Sequence, residues 1–138
     1  MKKSRLSLAL SLILILSSLA PTAYASEELT IQSRYSRITS FTVAFSISSS
    51  GLSSDYSSIK LTNSTDTVNL IIELQQKSGS TWSTIKTWET SGSGTVSLDK
   101  SWYVSSGYSY RIYVTAKVYN SSDTLSETAT LISSTASY

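Results

Sequence analysis

The sequence predicts an all-β chain: a single antiparallel β-sandwich of about seven strands, preceded by a signal peptide. Two observations carry the fold. In most of the runs between Phe41 and Ile132 apolar residues recur at every second position, the period of a strand buried on one face, and helical spacing is absent. The alternating runs are split by short clusters of Ser, Gly, Asn and Asp, which turn a chain rather than extend it. Short strands with short links and one wet face are the pattern of an antiparallel sandwich.

The elements follow in order. Ser26 to Ser33 reads as a loose arm. Phe41, Val43, Phe45 and Ile47 alternate with Thr42, Ala44 and Ser46, and Ser48-Ser49-Ser50-Gly51 turns the chain. Leu52 to Leu61 is a weaker strand carrying Tyr56, Ile59 and Leu61, ended by the turn Asn63-Ser64-Thr65-Asp66. Val68, Leu70, Ile72 and Leu74 form a strong inward face, and Lys77-Ser78-Gly79-Ser80 is a hairpin turn. Trp82 to Thr90 follows, but Trp82, Ile85 and Trp88 are spaced by three, which fits neither face of a regular strand. A β-bulge reconciles that spacing, as a short helical turn also would; the bulge is the expectation. Ser91-Gly92-Ser93-Gly94 reads as a flexible loop, and Val96, Leu98 and Trp102 alternate next. After Ser105-Ser106-Gly107, Tyr108, Tyr110, Ile112, Val114, Ala116 and Val118 share one face. Ser109, Arg111, Tyr113, Thr115, Lys117 and Tyr119 share the other. Asn120-Ser121-Ser122-Asp123 turns into a last strand from Leu125 to about Ile132.

The N-terminus has the order of a secretory signal. Lys2, Lys3 and Arg5 precede an apolar run from Leu6 to Leu16, and the segment ends Ala23-Tyr24-Ala25. The run is shorter than the ~20 apolar residues that cross a bilayer, so cleavage is expected between Ala25 and Ser26, with no membrane span afterwards. Residues 1–25 are then the leader and 26–138 the domain. Removing 25 of 138 residues leaves 113, a length for one domain. Three of 11 basic residues leave with the leader, so 8 face 9 acidic ones and the net charge becomes −1. That balance argues against a nucleic-acid partner. The polar C-terminus, Ser133 to Tyr138, suggests release outside the cell rather than anchoring.

The chain has no Cys and no His, so the core must hold without disulfides, and the commonest general base and zinc ligand are missing. No catalytic, cofactor or metal site is expected. Ser83-x-x-Lys86 matches an acyl-transfer motif, yet in a regular strand those side chains point to opposite faces. Glu73 and Glu89 read as solvent-face charges on neighbouring strands. Asp55, Asp66, Asp99 and Asp123 fall in or near turns, without the clustering that calcium requires. Asn63 and Asn120 open sequons that lie in turns, where such residues occur anyway.

Two resemblances appear on particular residues. Val104, Ser106, Tyr108, Tyr110, Ile112, Val114 and Ala116, at alternate positions, are similar to the penultimate strand of fibronectin type III domains, with Tyr108 standing where those have a small polar residue. The resemblance implies that Tyr110 sits at a corner between two sheets. Arg34-Tyr35-Ser36-Arg37-Ile38, Leu74-Gln75-Gln76-Lys77 with Gly79 and Trp82, Trp88, Gly107-Tyr108-x-Tyr110-Arg111 and Ser126-Glu127-Thr128 resemble small exported proteins of Gram-positive bacteria, a family of unknown function. That likeness implies fold and compartment, and no active site.

The aromatic residues carry what function the sequence suggests. Three Trp and nine Tyr are generous for this length. Sugars stack on flat exposed rings, and Trp82, Trp88, Tyr113 and Tyr119 are the candidate binding residues. The competing expectation is that such rings fill the core. The reading is therefore a non-catalytic extracellular interaction or structural protein with an unidentified protein or polysaccharide partner. Its first alternative is a carbohydrate-binding module, which indoles outside the core would favour. A self-assembling matrix or toxin-like protein is the second.

Overall fold

The structure, a computed structural model, describes residues 29–31 and 35–138. The expected leader, the Ala25–Ser26 bond and Arg34 lie outside the described residues. The described chain is all-β: β1 (Leu29–Ile31), β2 (Ile38–Ile47), β3 (Leu52–Leu61), β4 (Thr67–Ser78), β5 (Thr81–Ser93), β6 (Thr95–Tyr103), β7 (Ser109–Tyr119), β8 (Leu125–Ile132) and β9 (Ala136–Ser137). Every pairing is antiparallel. The first sheet runs β1-β2-β3-β6 and the second β5-β4-β7-β8, with β9 beside β7. No helix among the described residues is long and apolar enough to cross a membrane.

The alternation read from the sequence places the core. Phe41, Val43, Phe45 and Ile47 of β2 join Val68, Leu70, Ile72 and Leu74 of β4 and Tyr110, Ile112, Val114, Ala116 and Val118 of β7 in one buried cluster. Each Val, Leu, Ile or Phe among them contributes about 1.5–3 kcal/mol relative to exposure. β3 contributes less. Its inward positions Ile59 and Leu61 are apolar, but Ser53, Asp55 and Ser57, also buried, are not.

Several expectations change. The arm is not loose throughout, because Leu29–Ile31 pairs with Phe41–Val43. The Ser91–Gly94 loop is not a loop: β5 continues to Ser93, and Gly92 stands opposite Val68. A Cβ on Gly92 would meet Val96 at 2.9 Å, so the glycine there serves a close approach between sheets. Asp55 and Asp99 lie within strands rather than turns. Tyr108 does not join the inward face; it precedes β7 and is 43 % exposed. The expected bulge is present. The β4–β5 register shifts between Leu74 and Gln75, leaving Ile85 as the extra residue.

The two ends of the sandwich are built differently. At one end β2 starts, β3 passes to β4, and β7 turns into β8. There the Arg37 guanidinium binds Asp66 at 2.8 Å, and the Glu127 carboxylate accepts the backbone N–H groups of Ser36 and Arg37 at 3.0 Å each. Asn120 caps the β7–β8 turn, its Oδ1 accepting from Ser122 and Thr124. The opposite end holds the turns Ser48–Gly51 and Val104–Tyr108 and the last residues of the chain. Here Val104 donates to the Gly51 carbonyl at 2.9 Å, and Tyr138 exchanges backbone bonds with Tyr108. The Tyr110 hydroxyl donates to the Ser105 carbonyl at 2.6 Å, fixing the passage from the first sheet to the second. Burial pushes the Tyr110 phenol above its ordinary pKa, and the Ser105 bond offsets this only in part.

Candidate functional site

The outer face of the second sheet carries the first aromatic cluster. Lys77 and Trp82 stand opposite each other just outside the Gly79 turn, and the register places Gln75 beside Arg111. Arg111 Nε donates to Gln75 Oε1 at 2.9 Å, and its Cζ lies over the indole, 4.2 Å from the Trp82 ring centre. Lys77 Nζ is 5.7 Å from the same ring. Each cation–π contact contributes about 0.5–1 kcal/mol at an exposed site. Together they leave two positive charges beside a half-buried indole.

A second cluster occupies the side where β5 and β6 meet. Register puts Lys86 and Trp88 on the inward side of β5, opposite Leu74 and Ile72. Lys86 Nζ is 4.4 Å from the Trp102 ring centre and 6.0 Å from that of Trp88. Trp88 packs against the core but stays half-buried, and Trp102 is 43 % exposed. Behind Trp102 lies a polar relay. The Trp102 N–H donates to Ser53 Oγ at 3.2 Å, and Ser53 Oγ donates to Asp55 Oδ2 at 2.5 Å. Asp55 is fully buried and its Oδ1 has no partner. Burial raises the carboxyl to about 6, against the Ser53 hydrogen bond and with a smaller contribution from Asp99.

The four residues expected to bind do not form one platform. Trp82 and Tyr113 share the outer face, but their register positions on β4, Lys77 and Glu73, are four residues and so about 13 Å apart. Tyr119 lies on the same face beside Thr67, six residues and about 20 Å beyond Tyr113. Trp88 is on the inward side. The expectation that such rings fill the core describes Tyr110 and, in part, Trp88, which packs against it, but not Trp82 or Trp102. The largest fully buried side chains are Tyr110, Phe41 and aliphatic residues, and no Trp is among them. Lys77, Gln75 and Arg111 were missed because their closeness to Trp82 depends on register across three strands. The available signal was Lys77 and Trp82 flanking a two-residue glycine turn.

The other constellations are placed as follows. The bulge brings Ser83 and Lys86 to the same side of β5, opposite Gln76 and Leu74, correcting the expectation that they diverge. Glu73 and Glu89 share the outer face, and Glu73 accepts from Thr84 Oγ1 at 3.1 Å. No group of three potential metal-ligating side chains forms among the described residues. Compared with known proteins, the chain matches no family model, no curated protein and no solved structure.

Proposed function

We propose that this chain is an exported, non-catalytic binding module that holds an acidic polysaccharide outside the cell, with Trp82 as the stacking surface and Arg111 and Lys77 as the anion partners. One observation carries the reading: every indole lies outside the fully buried core, and each has a Lys or Arg against its face. Rings used only for packing would be buried. Rings used only for neutral sugars would not need a cation beside each. Gln75, bridging to Arg111, keeps the guanidinium where a carboxylate or phosphate on a sugar could reach it.

The leader supports export, and the absence of His and Cys supports a non-catalytic role. The strand order supports a fibronectin III-like reading: β2-β3-β6 faces β5-β4-β7-β8, and Tyr110 bridges back to Ser105 as a tyrosine corner does. The likeness to small exported Gram-positive proteins agrees with it. Neither names a ligand, since a fold does not carry function.

Calorimetric titration with polygalacturonate and, separately, with neutral dextran tests the proposal. Saturable binding to the acidic polymer is expected, weakening with salt. Trp82→Ala and Arg111→Ala should each weaken it by about ten-fold or more. Equal affinity for both polymers would remove the role of charge. Undiminished binding in a folded Trp82→Ala protein would remove this site.

A further inference from the structure

Building on the Trp82 reading, we infer that the Lys86–Trp102 cluster is a second subsite for the same acidic polysaccharide, which passes from Trp82 across the edge of β5 to reach it. The two clusters share one strand. β5 ends the second sheet and β6 ends the first, so both strands are edges. Trp82 stands opposite Lys77 and Lys86 opposite Leu74, three β4 positions and so about 10 Å apart along the strand. Trp82 lies on the outer face and Lys86 on the inward side. Lys86 Nζ is 4.4 Å from the Trp102 ring centre and 6.0 Å from that of Trp88. Trp102 is exposed, and Lys86 and Trp88 are half-buried. Lys100, also exposed, stands two positions from Trp102 and so on the same face of β6, which adds a second positive charge.

The charges around Trp82 set the path. On the outer face Glu73 stands opposite Thr87 and Tyr113, and Glu89 lies two ladder positions further on, opposite Ile71. Both carboxylates repel an acidic chain there. The next cation on that face is Lys117, six residues and so about 20 Å beyond Arg111, with Glu73 between them. Over the edge of β5 the sign reverses, to Lys86 and Lys100. Two carboxylates lie near these lysines, and neither faces the ligand. Asp99 points to the opposite face of β6 from Lys100. Asp55 is fully buried behind Ser53, which also accepts the Trp102 N–H. The strand itself adds hydrogen-bonding groups. β4 is the one strand neighbour of β5, so backbone N–H and C=O groups along its other side are open to the hydroxyls of a crossing sugar chain. Two subsites at fixed spacing act together only on a ligand that spans both, because the first contact raises the effective concentration for the second.

Calorimetric titration with digalacturonate and hexagalacturonate tests this. The longer ligand should bind about a hundred-fold more tightly. Part of any such gain is statistical, since a longer chain offers more registers to a single site, and the variants separate the two sources. Lys86→Gln and Trp102→Ala should each weaken hexagalacturonate by about ten-fold and digalacturonate by less. Trp102→Ala keeps the backbone N–H that Ser53 accepts, and circular dichroism checks that both variants fold. Equal losses for the two ligands, or no loss for either, overturn the second subsite and leave Trp82 in place. A loss of hexagalacturonate affinity in Lys117→Gln that Lys86→Gln does not share overturns it too, by placing the chain along the outer face. Failure of both ligands to bind the natural chain overturns the Trp82 reading and the second subsite with it.

Discussion

Where Arg37 meets Asp66 the sandwich is closed by charge; where Gly51 meets Tyr138 it is closed by backbone bonds and ring packing alone. At the first end a nearly buried carboxylate, 3 % exposed, is satisfied by a guanidinium, and a second carboxylate collects two adjacent N–H groups. Charge-assisted bonds of that kind contribute about 1.5–3 kcal/mol each. At the second end many neutral contacts share the task. The difference teaches how each end uses its charge: at the first end carboxylates close the sandwich, while at the second the cations Lys77 and Arg111 lie on the Trp82 ring and the closure is left to neutral bonds.

One buried group gives the largest expected effect. Asp55 lies in the interior, in the half of β3 nearer Gly51. Its carboxyl rises from 3.8 to about 6 on folding, so the folded chain holds a proton that the unfolded chain has lost. Stability from this group is therefore full below about 3.8, falls as pH rises towards 6, and stays lower above it. The loss amounts to about 3 kcal/mol. Urea midpoints at pH 4 and 7 should show it in the natural chain and not in Asp55→Asn, which should be the more stable of the two at pH 7. A difference between the two proteins that does not vary with pH would mean that Asp55 finds a partner in solution.

Next comes the charged end itself. Asp66→Ala should lower stability by about 2 kcal/mol, less than a fully buried pair because Arg37 keeps 31 % of its side chain in water. Thermal melting reads this directly, and no loss would mean that charge does not hold that end. At the opposite end, Gly51→Ala should cost about 2 kcal/mol and Gly79→Ala about 1 kcal/mol. Both glycines have positive φ, but only Gly51 has the Tyr138 ring against it, so the difference isolates that ring contact. Equal costs would show that Tyr138 moves aside freely. The smallest effect expected is Tyr110→Phe, about 1 kcal/mol for the bond to Ser105. A cost near zero would mean that the corner is held by packing alone.

The strands that alternate cleanly were legible because side-chain period is a local property. Phe41 to Ile47, Val68 to Leu74 and Tyr110 to Val118 bury the residues expected. Local composition misled at Ser91–Gly94, where small residues serve a close approach between sheets rather than a loop. Asp55 was read as near a turn because a buried acid contradicts every local preference, and only its Ser53 partner and the surrounding sheets keep it inside. The site was legible in part. Tyr113 and Tyr119 lie on the expected face, and Trp82 joins them. The cations around Trp82 come from β4 and β7, and pairing between distant strands leaves no mark in a single stretch of sequence.

The extra residue at Ile85 is absorbed as a bulge in β5. Trp82 and Trp88 are six positions apart, an even number, and in an uninterrupted strand they would point the same way. One inserted residue changes the parity, so the first indole meets solvent beside Arg111 while the second turns towards the layer between the sheets. The strand thereby presents two differently addressed surfaces with a single backbone. Removing Ile85 would turn neither indole: Lys86 would follow Thr84 in an unbroken ladder, and Trp82 and Trp88, then five positions apart, would still face opposite sides, so what Ile85 adds is a local kink rather than the address of either ring.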